Sequence, residues 1–136
     1  MRSREITKRA LRHNKVMAKK ILIVNDQPDL LRITTFRIQK MGYDVIIASD
    51  AVQALEMIKS HIPDLVLLDI NMPNLSGPEV CKNMKAQENL KKIPVILFTA
   101  SSTNIEEKVK EAGAQDYLIK PFDLEVLAKK IQKLIE

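Results

Sequence analysis

This 136-residue chain has a single cysteine, no tryptophan and no long apolar run. The single Cys81 excludes an intrachain disulfide framework and any zinc site built from several cysteines. His13 and His61 stand far apart, so neither reads as a metal ligand. No stretch approaches the roughly 18 apolar residues of a membrane span, and the N-terminus lacks the apolar segment of about 7 to 15 residues that marks a secretory signal. A soluble, cytoplasmic protein is expected. At 46% apolar residues the chain can still bury a core, which argues against a disordered reading.

Charge is abundant but unevenly placed. The net +5 arises from 22 Lys plus Arg against 17 Asp plus Glu. Residues 1 to 20 hold eight basic side chains against Glu5 alone, a net +7, which leaves −2 for the remainder. The basicity therefore belongs to an N-terminal extension, residues 1–19, and is no argument that the body, residues 20–136, binds nucleic acid. The expectation for the extension is a flexible, solvated tail. Docking to a partner, or weak contact with nucleic acid or an anionic membrane, is the alternative, with Ile6, Ala10, Val16 and Met17 as a short apolar stripe.

From Lys20 onward, short β-branched runs alternate with segments of helical period. Ile21–Val24, Val45–Ala48, Leu65–Leu68, Pro94–Phe98 and Asp116–Ile119 read as strands. Helices are predicted after Pro28, after a capping Asp50, over roughly Pro78–Ala86, after a capping box at Thr103-x-x-Glu106, and after a capping Asp123. Five βα units with strands this apolar imply a parallel sheet with helices on both sides. Right-handed crossovers leave few topologies, and ligands in such sheets bind beyond the carboxyl ends of the strands.

Those ends bring together Asn25 and Asp26 after strand one, Asp69 after strand three, Thr99 after strand four and Lys120 after strand five. Two carboxylates placed together repel unless a cation intervenes. Oxygen donors without a His or Cys cluster favour Mg²⁺. Lys120 offers a point charge, and Thr99 a neutral hydrogen bond, to a phosphoryl oxygen.

With these residues the sequence, over about Lys20 to Glu136, resembles the receiver domain of two-component response regulators. The resemblance is carried by Val24-Asn25-Asp26, Leu67-Leu68-Asp69-Ile70-Asn71-Met72-Pro73-x-x-x-Gly77, Pro94 to Ala100, and Gly113-Ala114-x-Asp116-Tyr117-Leu118-x-Lys120-Pro121-Phe122. It implies a flavodoxin-like (βα)5 fold, a doubly wound parallel sheet in three α/β/α layers. It also implies phosphoryl transfer, with Mg²⁺ as cofactor, from a histidine kinase or histidine phosphotransfer protein. By position, Asp69 is then the phosphoacceptor, Asp26 a direct metal ligand, and the Asn71 backbone carbonyl another. Lys120 and Thr99 contact the phosphoryl group, and small Ala100 leaves it accessible. Tyr117 matches the switch aromatic that moves with Thr99, Pro121 follows a peptide that is usually cis, and Gly77 shapes the loop.

One position departs from the pattern. Most receivers carry two adjacent acids after strand one, and here the first is Asn25, reduced to a metal contact through water. Counting Asp26, Asp69 and Lys120, the pocket carries −1 in place of −2, so weaker Mg²⁺ binding is expected. Asn25 also motivates a second reading, a pseudo-receiver that acts as an interaction module without phosphorylation. A third, an aspartyl-phosphate phosphatase of the haloacid dehalogenase kind, is disfavoured because Asn71 stands where such enzymes carry a second aspartate. The chain ends with the fifth helix, so no DNA-binding output domain is expected in it. Signalling would pass to a downstream effector protein by contact, from a monomer or a phosphorylation-dependent dimer.

Overall fold

The computed structural model describes residues 18–70 and 77–135. The N-terminal extension up to residue 17 and the loop carrying Asn71, Met72 and Pro73 lie outside the described residues, as do the expectations placed on them. In chain order the elements are β1 (Lys20–Val24), α1 (Pro28–Lys40), β2 (Asp44–Ala48), α2 (Ala51–His61), β3 (Leu65–Asp69), α3 (Gly77–Lys85), β4 (Val95–Thr99), α4 (Ile105–Ala112), β5 (Asp116–Ile119) and α5 (Leu124–Ile135). The five strands form one parallel sheet in the order β2-β1-β3-β4-β5.

Alternation along each strand sorts the core into two layers, because successive side chains leave a strand on opposite faces. Leu22, Val24, Val66, Leu68, Val95 and Leu97 pack with Ala54 and Ile58 of α2, Val80, Cys81 and Met84 of α3, and Ile105 of α4. Ile21, Ile23, Leu65, Leu67, Ile96 and Phe98 face the other way, onto Ile38 of α1 and Leu127 and Ile131 of α5. The α1 and α5 pair is further joined by an ion pair of 2.8 Å between Arg37 and Glu125. Central strands β3 and β4 are buried along their whole length, whereas the edge strands are not: Ile47 of β2 and Ile119 of β5 stand in solvent. The expectation of strands wholly sheltered from water thus holds for the middle of the sheet and fails at its edges, where one neighbour is missing.

Helix boundaries show their local causes. Asp50 caps α2 by accepting the Gln53 N–H at 2.8 Å, and the Asp123 carboxylate accepts the Glu125 N–H at 2.7 Å at the start of α5. The capping box expected at Thr103 does not form. α4 begins one residue later, after Asn104 in the left-handed region (φ 53°), and the Thr103 N–H is spent on Ser101 Oγ at 3.1 Å. Gly113, at φ 82°, ends α4 in the left-handed conformation that glycine adopts without a steric penalty.

Cys81 is fully buried, and burial pushes its thiol up to about 11, with the Lys85 ammonium pulling the other way. Lys85 in turn has its ammonium lowered by burial, opposed by Cys81, while it donates to the carbonyls of Ile93 and Lys91 at 2.6 and 3.1 Å. The cysteine is a small core residue with no feature of a nucleophile.

Candidate functional site

Strand order places the site. β1 and β3 are neighbours at the point where the sheet winds in opposite directions, and their carboxyl ends open on the crevice such folds use for ligands. β3 ends at Asp69, whose side chain is almost wholly buried. Two backbone bonds hold the chain beyond it: the Ile70 N–H donates to Phe98 O at 2.8 Å, and the Gly77 N–H to Ile70 O at 3.0 Å. Gly77 lies so close that a Cβ there would sit 2.4 Å from the Asp69 carbonyl oxygen. Only glycine permits that approach.

On the opposite flank, the Lys120 N–H donates to Thr99 O at 2.7 Å and carries the chain past the end of β5. The Lys120–Pro121 peptide is cis, as its family position implied. From there Lys120 reaches across β4 to Asp69, with 2.5 Å between Nζ and Oδ2. A carboxylate taken this far out of water requires a close counter-charge, and Lys120 provides it.

The chain after β1 completes the crevice. Asn25 is buried, and its Oδ1 accepts the Gln27 N–H at 2.7 Å, an Asx turn that closes the strand's end. Asp26 next to it is exposed. The Gln27 side chain turns back and its Oε1 accepts from Lys120 Nζ at 3.3 Å. Gln27, Leu30, Ala100, Lys120, Pro121 and Phe122 line a groove of about 430 Å³ beside the Asp69–Lys120 pair. Thr99 is buried, and its Oγ1 both donates to Ser101 O at 3.0 Å and accepts the Ser101 N–H at 3.1 Å.

Asp69, Lys120, Thr99, Ala100, Asn25 and Asp26 therefore lie at the carboxyl ends of the strands, as their positions in the sequence suggested. Tyr117 does not share that crevice. It is half-buried on β5 and lines a separate groove of about 380 Å³ with Ser102, Asn104, Ile105, Glu106, Glu107 and Ile119. Gln27 and Ser101 were missed by sequence reasoning. The Asn25-x-Gln27 spacing was a usable sign of an Asx turn, but nothing local signals a partner 93 positions away.

The donors suit a hard cation. Asp26 and Asp69 offer carboxylate oxygens, and Mg²⁺ is commonly held by one or two carboxylates with waters completing its shell. Among the described residues, no three or more His, Cys, Asp or Glu side chains come together as a group that could hold a metal ion. Nor is any helix among them long and apolar enough to cross a membrane.

Comparison with known proteins agrees with this geometry. The family model described as the response regulator receiver domain matches residues 21–132. The alkaline phosphatase synthesis transcriptional regulatory protein PhoP of Bacillus subtilis is 38% identical over 107 residues, covering 78% of this chain and 44% of that protein. A probable transcriptional regulator, ycf27, of Porphyridium aerugineum is 36% identical over 85% of this chain and 48% of its own length. The chain thus spans about half the length of these relatives. Among solved structures, the chemotaxis response regulator CheY4 of Vibrio cholerae superposes with a TM-score of 0.81 at 29% identity, covering 87% of this chain and 99% of that one. The receiver domain of the sensor histidine kinase PA1611 from Pseudomonas aeruginosa, described with a magnesium ion coordinated in its active-site cleft, gives 0.80 at 31% identity, covering 88% and 98%. Fold, strand-end chemistry and likeness converge: the chain belongs to the receiver domain family of two-component response regulators.

Proposed function

We propose that Asp69 accepts a phosphoryl group from a sensor histidine kinase or a histidine phosphotransfer protein, with Mg²⁺ as cofactor, and that the modified domain signals by contact with a downstream protein. The observation that carries this reading is the buried Asp69 carboxylate held 2.5 Å from Lys120 beside an open groove. In the transfer, an Asp69 oxygen attacks phosphorus in line. The oxygen–phosphorus bond forms as the bond to the donor breaks, and the donor leaves with that electron pair. Lys120, now paired with the carboxylate, turns its N–H donors to the phosphoryl oxygens as the carboxylate charge is consumed. Small, exposed Ala100 leaves the approach open. Mg²⁺, when bound, would supply further neutralisation of charge on those oxygens. Asp26 and Asp69 would hold it together with the Asn71 carbonyl, which lies outside the described residues.

The output reading rests on Thr99 and Tyr117. The Thr99 hydroxyl, bonded to Ser101 in this state, would exchange that partner for a phosphoryl oxygen, and Tyr117 would repack in the groove it lines with α4. Partner approach has a candidate surface as well. Ile33 and Phe36 are 53% and 63% exposed on α1, the helix whose first turn supplies Leu30 to the groove beside Lys120. A donor protein that docks along α1 would cover them.

The product is an acyl phosphate that the domain helps to form and to hydrolyse, without turnover of a separate substrate. Incubation with a small-molecule phosphodonor and Mg²⁺ tests this by intact mass. A gain of one phosphoryl group that Asp69→Ala abolishes is expected. No gain and no consumption of donor would favour the phosphorylation-independent interaction module that Asn25 suggests, and rapid consumption of donor with no phosphoprotein accumulating would favour a phosphatase.

A further inference from the structure

Asn25 is left unexplained by the transfer chemistry. Its side chain is 1% exposed. The Gln27 backbone N–H can only donate, so the atom accepting it at 2.7 Å is the amide oxygen and the other end must be the NH₂ group. That group, Nδ2, is buried with no hydrogen-bond partner among the described residues. A buried donor without an acceptor is a full desolvation loss and calls for a cause, a bound ligand being one; Thr34 and Thr35 of α1 also hold unpartnered hydroxyls, but only the Asn25 amide lies at the strand ends. The placement indicates the ligand. Val24 pairs with Leu68 in the β1–β3 register, so the next residues along the two strands are Asn25 and Asp69. Gln27 links the two sides of the crevice: its backbone holds Asn25 Oδ1, and its side chain holds the Lys120 ammonium at 3.3 Å.

We infer that the Asn25 NH₂ group is a phosphoryl-oxygen donor, which lets this pocket bind a phosphoryl oxyanion on Asp69 with less dependence on Mg²⁺ than a carboxylate at position 25 would allow. The inference rests on Asp69 as phosphoacceptor and deepens that reading. An N–H donor attracts the anionic oxygens that a carboxylate repels, and it surrenders the unit of charge that a carboxylate offers a cation. Asn25→Asp is the matched exchange. It keeps the shape and the oxygen that accepts from Gln27, and replaces only the orphaned donor with an acceptor.

Fluoroberyllate, which mimics a phosphoryl group on a carboxylate, is the probe. Its binding to the full chain is followed by fluorine NMR with saturating Mg²⁺ and in chelator, while selective nitrogen labelling reads the Asn25 side-chain amide directly. The expected result has three parts. The Asn25 amide signals shift and gain exchange protection when the probe binds. Asn25→Asp and Asn25→Ala each lose at least about tenfold in probe affinity in chelator. Asn25→Asp alone binds Mg²⁺ more tightly. Should Asn25→Ala fail to fold, the amide signals of the unmodified protein still decide. Asp69-dependent binding that leaves those signals unmoved, no binding by the unmodified protein in chelator, or a loss of less than about tenfold in either variant, would overturn the inference and leave the phosphoacceptor reading standing. No binding even with saturating Mg²⁺, or binding that survives Asp69→Ala, would overturn both.

Discussion

Gly77 carries the tightest steric constraint beside the site, because a Cβ there would meet the Asp69 carbonyl oxygen at 2.4 Å. That oxygen is backbone in a buried strand and cannot swing aside. Gly77→Ala is expected to lower stability by about 1–3 kcal/mol, read as a shift in urea midpoint; an unchanged midpoint would remove the constraint from the account. Cys81 is the second informative residue. Its thiol is ordinary at 9.0 and is pushed up to about 11 by burial, so the unfolded chain loses the proton first. The thiol's contribution is therefore complete below about pH 9 and is lost as pH rises through 11, by up to about 2–3 kcal/mol in all. Lys85 works in the opposite direction, since its lowered ammonium makes stability rise with pH on the approach to 10.5. The thiol is isolated by comparison with Cys81→Ala: the stability advantage of the unmodified protein should shrink between pH 8 and 11. The native thiol should also resist a disulfide reagent at pH 8 until the protein is unfolded. At this scale the sequence was most legible where an apolar run stops at a polar residue, which is how Asp69, Thr99 and Lys120 came into view. Gln27 and Ser101 were illegible, because an exposed polar residue in a loop looks the same whether or not a distant side chain has found it.

Elements were legible wherever one face is buried. The 3.6-residue stripe of α5 faces one core layer, and the continuous apolar runs of β1, β3 and β4 supply side chains to both. Ends were less legible. Asp50 and Asp123 cap as their chemistry suggests, yet Thr103-x-x-Glu106 had the right spacing one residue out of place. The reason is that Asn104 takes up the left-handed turn before α4, which asparagine tolerates better than most residues and which a spacing rule cannot anticipate. Ile62 makes the opposite case. This β-branched residue ends α2 at φ 44°, where L side chains crowd the following carbonyl, and Pro63 follows it. Its side chain is 46% exposed, so little packing is forfeited by removing it. Ile62→Gly should therefore raise stability by about 0.5–1 kcal/mol, measured by thermal unfolding. A lower melting temperature would show that Ile62 contributes more by contact than it costs in strain.

For the whole molecule, alternating βα units were enough to foresee a parallel sheet covered on both sides. The order β2-β1-β3-β4-β5, and the division of helices into α1 with α5 against α2, α3 and α4, came only from the assembled core. That order matters for function, since it sets β1 beside β3 and makes Asn25 and Asp69 neighbours across strands. Net charge proved a poor guide at this scale: the first 20 residues carry +7 and the remainder −2, while the crevice holds Asp26, Asp69, Lys120 and the neutral Asn25. The central claim is that Asp69 carries the phosphoryl group. Borohydride reduces an aspartyl phosphate to homoserine, so reductive trapping after exposure to phosphodonor and Mg²⁺, followed by peptide sequencing, names the acceptor. Homoserine at position 69 and nowhere else is the predicted result; an unmodified Asp69, or label on Asp26, would contradict it.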